Sequence, residues 1–272
     1  METSVVIPSK GGEFLEHTLR SLSRQTVKPN EVILVLKDCD TRKFEEIMAK
    51  EGLRGVTIEQ KEGFFTRALN MGKKEASFDL ILFTDDDTIL PLNWIKNYLK
   101  LFKRLEKKIA CISSRDIYFD LKKEKKVKTP DDYLYVKFFR SLLRPLVDPP
   151  HSRLKRYRFG SYISKKYKFV FGRGIPSKIC YSLPFRGVNM AFKKEAIEDL
   201  EFIEHPEIKR GFRCEQHFGV QLLLKGYDSL YVPTNPVYHI IRESLSRTRE
   251  KRELKKEEEI VKKEVMRLLE SL

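Results

Sequence analysis

The sequence predicts an α/β fold with a mostly parallel central sheet. Three observations carry this. Over the first 115 residues, short unbroken apolar runs alternate with segments of helical periodicity. The apolar fraction of 41%, with 18 Phe and 11 Tyr, is enough to fill a sheet buried on both faces. The fourth apolar run ends in three consecutive aspartates, and open α/β sheets bind ligands at the carboxyl ends of their strands.

The elements follow in order. Ser4 to Pro8 is β-branched and ended by proline, then Gly11-Gly12, which reads as a buried strand running into a loop. Phe14, Leu15, Leu19 and Leu22 recur at helical spacing. Glu31 to Leu36 is a second buried strand, residues 41–51 read as a helix, and Val56-Thr57-Ile58 as a third strand. Phe65 to Ala76 reads as a helix, Leu80 to Thr84 as the fourth strand, Pro91 to Leu105 as an amphipathic helix and Ala110 to Ser113 as a strand. The rhythm breaks over 121–180 and resumes with a strand in Phe185 to Phe192 and a helix from Lys194. Glu215 to Lys225 reads as a helix closed by Gly226, and Ser229 to Pro233 as a strand. The charged tail carries Leu254, Val261, Val265, Leu268 and Leu272 as one apolar stripe, so a terminal helix that packs on the body or a partner is expected.

Charge divides the chain unevenly. The formal net charge is +15; residues 1–120 carry +1, 121–180 carry +13 and 181–272 carry +1. A near-neutral body with one basic segment points to a local surface rather than to a general polyanion binder. Modest Gly and Pro content excludes collagen-like, mucin-like and disordered classes. Cys39, Cys111, Cys180 and Cys214 form no CxxC pair and read as ordinary thiols. With neither a signal peptide nor an apolar run of spanning length, the expected location is the cytoplasm, with peripheral contact at the inner face of the membrane left open.

Asp85-Asp86-Asp87 is the first candidate for chemistry. Three adjacent carboxylates repel one another, and Mg²⁺ or Mn²⁺ commonly bridges such groups to phosphates. The alternative is a solvated acidic turn. Pro8-Ser9-Lys10 and Lys37-Asp38 lie at the ends of the first two strands, so three strand ends converge on one crevice.

On these residues the chain resembles a family 2 glycosyltransferase of the GT-A fold. SVVIPSKGGEFLEHTLRSLSRQTVKPNEVILV is similar to that family's first strand, helix and second strand, and RALNMGKKEASFDLILFTDDDTILP resembles the stretch leading to its DxD motif. FRGVNMAFKKEAI is similar to its acceptor-side segment, RCEQHFGVQLLLKGYDSLYVP to the segment bearing the catalytic base, and VYH at 237–239 to its closing strand. The matches cover residues 4–115 and about 185–240. The resemblance implies a catalytic domain over 1–240, with a nucleotide-sugar-binding half (1–115), a basic insertion (121–180), an acceptor half (185–240) and a helical tail (241–272).

It also implies roles. Pro8, Ser9, Lys10, Arg67, Asn70, Asp85 and Asp86 are expected at the donor, a UDP-, GDP- or dTDP-linked sugar. Asp85 and Asp87 are expected to hold Mn²⁺ or Mg²⁺, with His239 as a further ligand; a satisfied surface histidine is the other reading of His239. Arg186, Gly187, Asn189 and Met190 are expected at a glycan, polysaccharide or lipid-linked acceptor. Two positions depart from the pattern. The acid that usually follows the second strand is replaced by Leu36-Lys37, with Asp38 as a shifted substitute. The family's Glu-Asp pair reads Glu215-Gln216, which assigns the general base to Glu215. The implied reaction is metal-dependent transfer with inversion.

The basic segment allows two readings beyond a solvated face. Arg153, Lys155, Arg156, Arg158, Lys165, Lys166 and Lys168 could meet an anionic acceptor or an anionic membrane. Basic residues interleaved with Tyr133, Tyr135, Phe138, Phe139, Tyr157, Tyr162, Tyr167, Phe169 and Phe171 could instead bind single-stranded nucleic acid. The intact acidic triad and the confinement of charge to one insertion argue against a nucleic-acid binder. A nucleotidyltransferase also uses paired aspartates and a metal, but has no need of the Gly187-to-Met190 segment.

Overall fold

The computed structural model describes every residue except 129–131, 134, 137, 139–142, 144, 145, 173, 242–246 and 272. Phe139 and Leu272 therefore lie outside the described residues. Fourteen strands are described: β1 (Thr3–Ser9), β2 (Glu31–Leu36), β3 (Gly55–Glu59), β4 (Leu80–Thr84), β5 (Thr88–Ile89), β6 (Ile109–Ser113), β7 (Asp116–Asp120), β8 (Lys125–Lys126), β9 (Ser161–Ile163), β10 (Phe169–Phe171), β11 (Cys180–Tyr181), β12 (Asn189–Lys193), β13 (Asp228–Tyr231) and β14 (Val237–Ile240). The helices are α1 (Leu15–Ser23), α2 (Thr41–Lys50), α3 (Phe65–Glu75), α4 (Trp94–Arg104), α5 (Lys194–Ile197), α6 (Cys214–Leu224) and α7 (Arg247–Glu270).

The main sheet has eight strands in the order β11-β13-β6-β12-β4-β1-β2-β3. The pairs β1–β2, β1–β4, β2–β3 and β13–β6 are parallel. β12 enters antiparallel between β4 and β6. This confirms the expected α/β class. β1 and β4 are buried along their whole length, as their unbroken apolar runs require, and each fully buried Val, Leu or Ile contributes about 1.5–3 kcal/mol. Helix α3 packs closely against β1. A Cβ on Gly72 would sit 2.3 Å from Val6 Cγ1, so glycine is what lets the helix approach.

A second sheet, β5-β14-β7-β8, stands at the carboxyl edge of the first. Its strands are two to five residues long. The basic segment forms a six-residue 3₁₀ turn (Ser152–Tyr157) and the β9–β10 hairpin. Leu154, Tyr157, Tyr162, Ile163, Phe169 and Val170 pack there with Val261, Val265 and Leu269 of α7. The tail's apolar stripe thus packs on the body through Val261, Val265 and Leu269, with Leu268 partly buried against the same cluster.

Candidate functional site

The ends of β1, β2 and β4, the start of α3 and the loop before α6 enclose a cleft of about 540 Å³. Pro8, Ser9, Lys10, Lys37, Gln60, Phe64, Asp85, Asp86, Asp87, Lys209 and Arg210 line it. Ser9 Oγ donates to Asp86 Oδ2 at 2.5 Å and accepts from the Gly11 N–H at 2.9 Å, which joins the first strand end to the acidic turn. Gln60 Nε2 donates to the Glu62 and Phe64 carbonyls, both at 2.9 Å, and shapes the turn that enters α3.

The acidic turn is held by β-pairing. Thr88 and Ile89 pair with His239 and Tyr238 of β14, and the Ile240 N–H donates to the Asp87 carbonyl at 2.8 Å. That register brings His239 beside Asp87, with Nε2 3.2 Å from Oδ1. The other ring nitrogen, Nδ1, lies 3.1 Å from Asp116 Oδ2, and Asp116 Oδ1 lies 3.1 Å from Arg186 Nε. One ligand atom each from Asp85, Asp87 and His239 lies within 4.8 Å of the others. Burial, with repulsion from Asp87, raises the Asp85 carboxyl to about 7. Burial opposes the charged form of His239, but its bonds to Asp116 and Asp87 outweigh this and hold it up to about 11. Two carboxylates and an imidazole, crowded and electrostatically strained, suit a divalent cation of the Mn²⁺ or Mg²⁺ type, so the residues fit the expected metal.

Glu215 stands in the first turn of α6 and, with Phe171, Gly174, Phe185, Arg186, Phe212 and Arg213, lines an adjoining pocket of about 280 Å³. Burial raises its pKa, against the opposing influence of Arg213, Gln216 and Cys214. Gln216, which replaces the expected acid, is fully buried and donates to the Pro184 carbonyl at 2.9 Å and to Glu215 Oε1 at 3.1 Å. It pins the Pro184–Phe185 segment that leads to Arg186 against the helix that carries Glu215.

Several expected site residues fall elsewhere. Asp38 is exposed, with φ +58°, and does not line the cleft; Lys37 does. Arg67 and Asn70 lie on the face of α3 that turns away from the cleft toward residues 201–204. Arg67 pairs with Glu204 at 3.3 Å, and Asn70 bonds the Phe202 backbone at 2.9 and 2.8 Å and Glu204 at 2.8 Å. Phe64, Phe65 and Ala68 face the cleft instead. Asn189 is buried, accepting from Trp94 Nε1 (2.9 Å) and Tyr98 OH (2.7 Å) and donating to the Arg115 and Asn235 carbonyls (3.1 and 2.9 Å). Its polar capacity is spent inside the fold, and Met190 is in the core. Of the four expected acceptor residues, Arg186 lines the second pocket, and a Cβ on Gly187 would meet open space.

Gln60, Asp116, Lys209, Arg210 and Arg213 were not anticipated. Lys209 and Arg210 reach the cleft because Glu257 of α7, only 2% exposed, grips their loop. Its Oε1 accepts the Lys209 and Arg210 N–H groups at 2.9 and 3.0 Å, and Oε2 the Phe212 N–H at 3.0 Å. The only signal for this was a basic run, Lys209 to Arg213, just ahead of the base-bearing helix.

The basic segment also differs from expectation. Tyr157 and Tyr162 are fully buried and Phe169 nearly so, so these rings are core rather than a stacking surface for bases. Arg153, Lys155, Arg156, Arg158, Lys165, Lys166 and Lys168 are exposed. Arg156 pairs with Asp228, and Lys168 with Asp148 at 3.1 Å. Among the described residues, no helix is long and apolar enough to cross a membrane.

The family model for glycosyl transferase family 2 matches residues 4–171, so most of the basic segment lies inside the match. No curated protein sequence matches the chain. Among solved structures, the mannosyltransferase PcManGT from Pyrobaculum calidifontis, in complex with GDP-Man and Mn²⁺, is similar at TM-score 0.58 and 16% identity, covering 90% of this chain and 58% of that one. S. aureus TarS 1–349, in complex with UDP-GlcNAc, is similar at TM-score 0.57 and 17% identity, covering 90% of this chain and 60% of that one. The chain thus spans less than two thirds of the length of either. At these identities the likeness is one of fold, and it bears out the GT-A expectation.

Proposed function

The chain belongs to glycosyl transferase family 2, and on that premise we propose that it moves a sugar from a nucleotide-sugar donor, UDP-, GDP- or dTDP-linked, to a hydroxyl of a glycan, polysaccharide or lipid-linked acceptor, with inversion. One observation carries this reading: Asp85, Asp87 and His239 converge at the end of β4, beside a cleft with a basic wall. The donor's diphosphate belongs against that wall, where Lys10, Lys37, Lys209 and Arg210 supply positive charge. Asp85, Asp87 and His239 would hold the divalent cation, which when bound neutralises charge on the diphosphate leaving group.

Glu215 is the proposed general base. Burial raises its pKa, which makes it a stronger proton acceptor than a free carboxylate, and its pocket adjoins Arg186 on the acceptor side. The acceptor hydroxyl gives its proton to Glu215 as its oxygen bonds the anomeric carbon and the nucleotide diphosphate departs. Attack opposite the leaving group inverts that carbon. Asp116 orients His239 through Nδ1, and Arg186 in turn holds Asp116.

Thermal stabilisation by UDP, GDP or dTDP with Mn²⁺ tests the reading. Stabilisation by one of them that Asp87→Ala abolishes is the expected result; none from any nucleotide refutes it. Peripheral membrane contact is supported by the exposure of Tyr135, Phe138, Leu146 and Val147 and of the basic residues of 153–168 in the same segment of the chain. Salt-sensitive flotation with phosphatidylserine vesicles is the expected result, and no flotation at low salt rules that contact out.

A further inference from the structure

The pocket beside Glu215 holds a cation, Arg213, that the fold pairs only loosely. Arg213 precedes α6 with φ +68°, and its guanidinium carbon lies 4.4 Å from the Phe212 ring centroid, 5.1 Å from Phe171 and 5.5 Å from Phe169. Its side chain is 16% exposed, and its Nε makes no hydrogen bond. It forms an ion pair with Glu258, Nε to Oε2 3.7 Å, a separation too long for a good hydrogen bond. A guanidinium withdrawn from water is costly unless it is paired and hydrogen-bonded. Arg186, on the same pocket wall, is matched by Asp116 at 3.1 Å. Phe171, Phe185 and Phe212 supply apolar faces, and the volume of about 280 Å³ is on the scale of a single sugar residue.

We propose that this pocket is an acceptor subsite for a sugar ring bearing an anionic substituent, a phosphate or a carboxylate, with Arg213 as its counter-charge. The ring rests against the phenyl groups, the anion meets the planar guanidinium, and the hydroxyl to be glycosylated faces Glu215. The assignment of Glu215 rests on the transferase reading; the anion preference of the pocket does not.

Isothermal titration of the full chain tests this with three probes: glucose 1-phosphate, glucuronate and methyl glucoside. Each is titrated into free protein and into protein saturated with GDP or UDP and Mn²⁺. The expected result is at least tenfold tighter binding of one anionic probe than of methyl glucoside, retained when the nucleotide is bound; which anionic probe prevails separates phosphate from carboxylate. Arg213→Gln should lower that preference about tenfold and leave nucleotide binding unchanged, which also reports that the variant is folded. Should that variant misfold, Glu258→Gln on the outer helix should tighten the anionic probe about threefold. Equal affinities, no binding of any probe, displacement by nucleotide, a preference that survives Arg213→Gln, or no gain in Glu258→Gln would each overturn the proposal. If neither nucleotide binds, the transferase reading fails, and the anion preference is still read in the free protein.

Discussion

Glu257→Ala is the substitution with the sharpest predicted cost outside the core. The carboxylate accepts three backbone N–H groups at 2.9, 3.0 and 3.0 Å and is 2% exposed. Hydrogen bonds to a charged group contribute about 1.5–3 kcal/mol each. Two of the three share one oxygen, and water entering the vacated space rehydrates part of the loop, so the expected loss is about 3–5 kcal/mol. For a domain of this size that corresponds to a fall in Tm of roughly 10 °C. Urea denaturation gives the free energy, and hydrogen exchange gives the location. Protection should fall at the amides of Lys209, Arg210 and Phe212 and stay high in β1 and β4. A loss below about 1 kcal/mol, or unchanged exchange at those three amides, would show that the loop is held by other contacts.

Further outcomes concern the site and its surroundings. Glu215→Gln should lower kcat by about 10²–10⁴-fold with nucleotide binding unaltered, measured by product release and by titration. Asp116→Asn should weaken Mn²⁺ binding about 10–100-fold, read by paramagnetic resonance of free Mn²⁺, because His239 Nδ1 loses its anionic partner. His217 is 7% exposed, and burial, with a smaller influence of Arg267, lowers its pKa to about 4. The unfolded chain takes up this proton first, so the stability His217 confers is full above about pH 6.5 and is lost as pH falls toward 4, by about 3 kcal/mol in all. Denaturation midpoints from pH 7 to 4 should slope less steeply in His217→Gln.

The strands buried on both faces were legible in sequence. β2 and β4 fall on the expected residues, because an unbroken apolar run satisfies only a doubly covered strand. β5 and β7 were not, since Thr88-Ile89 is too short to show a period and Asp116-Ile-Tyr-Phe-Asp mixes acids with rings. β7 carries Asp116, whose contact with His239 of β14 spans 123 positions and leaves no local trace. The aspartates at the end of β4 were readable because an acid run at a strand terminus has a local meaning. The face of α3 was not: Ala68, at the cleft, lies within a single turn of Arg67 and Asn70, and Glu204, which claims the latter two, lies 134 residues beyond Asn70.

The antiparallel strand at the centre of the sheet has a cost during synthesis. β4 is made by Thr84, but its partner on one side, Asn189–Lys193, follows more than a hundred residues later. Until then a largely apolar strand offers an open row of amides and carbonyls to any neighbouring chain. β6 cannot close this gap, because its own place in the sheet lies beyond β12. The nascent protein therefore carries its most aggregation-prone edge beside its aspartate-rich turn, and binding of a chaperone should be strongest while residues 85–188 are emerging from the ribosome.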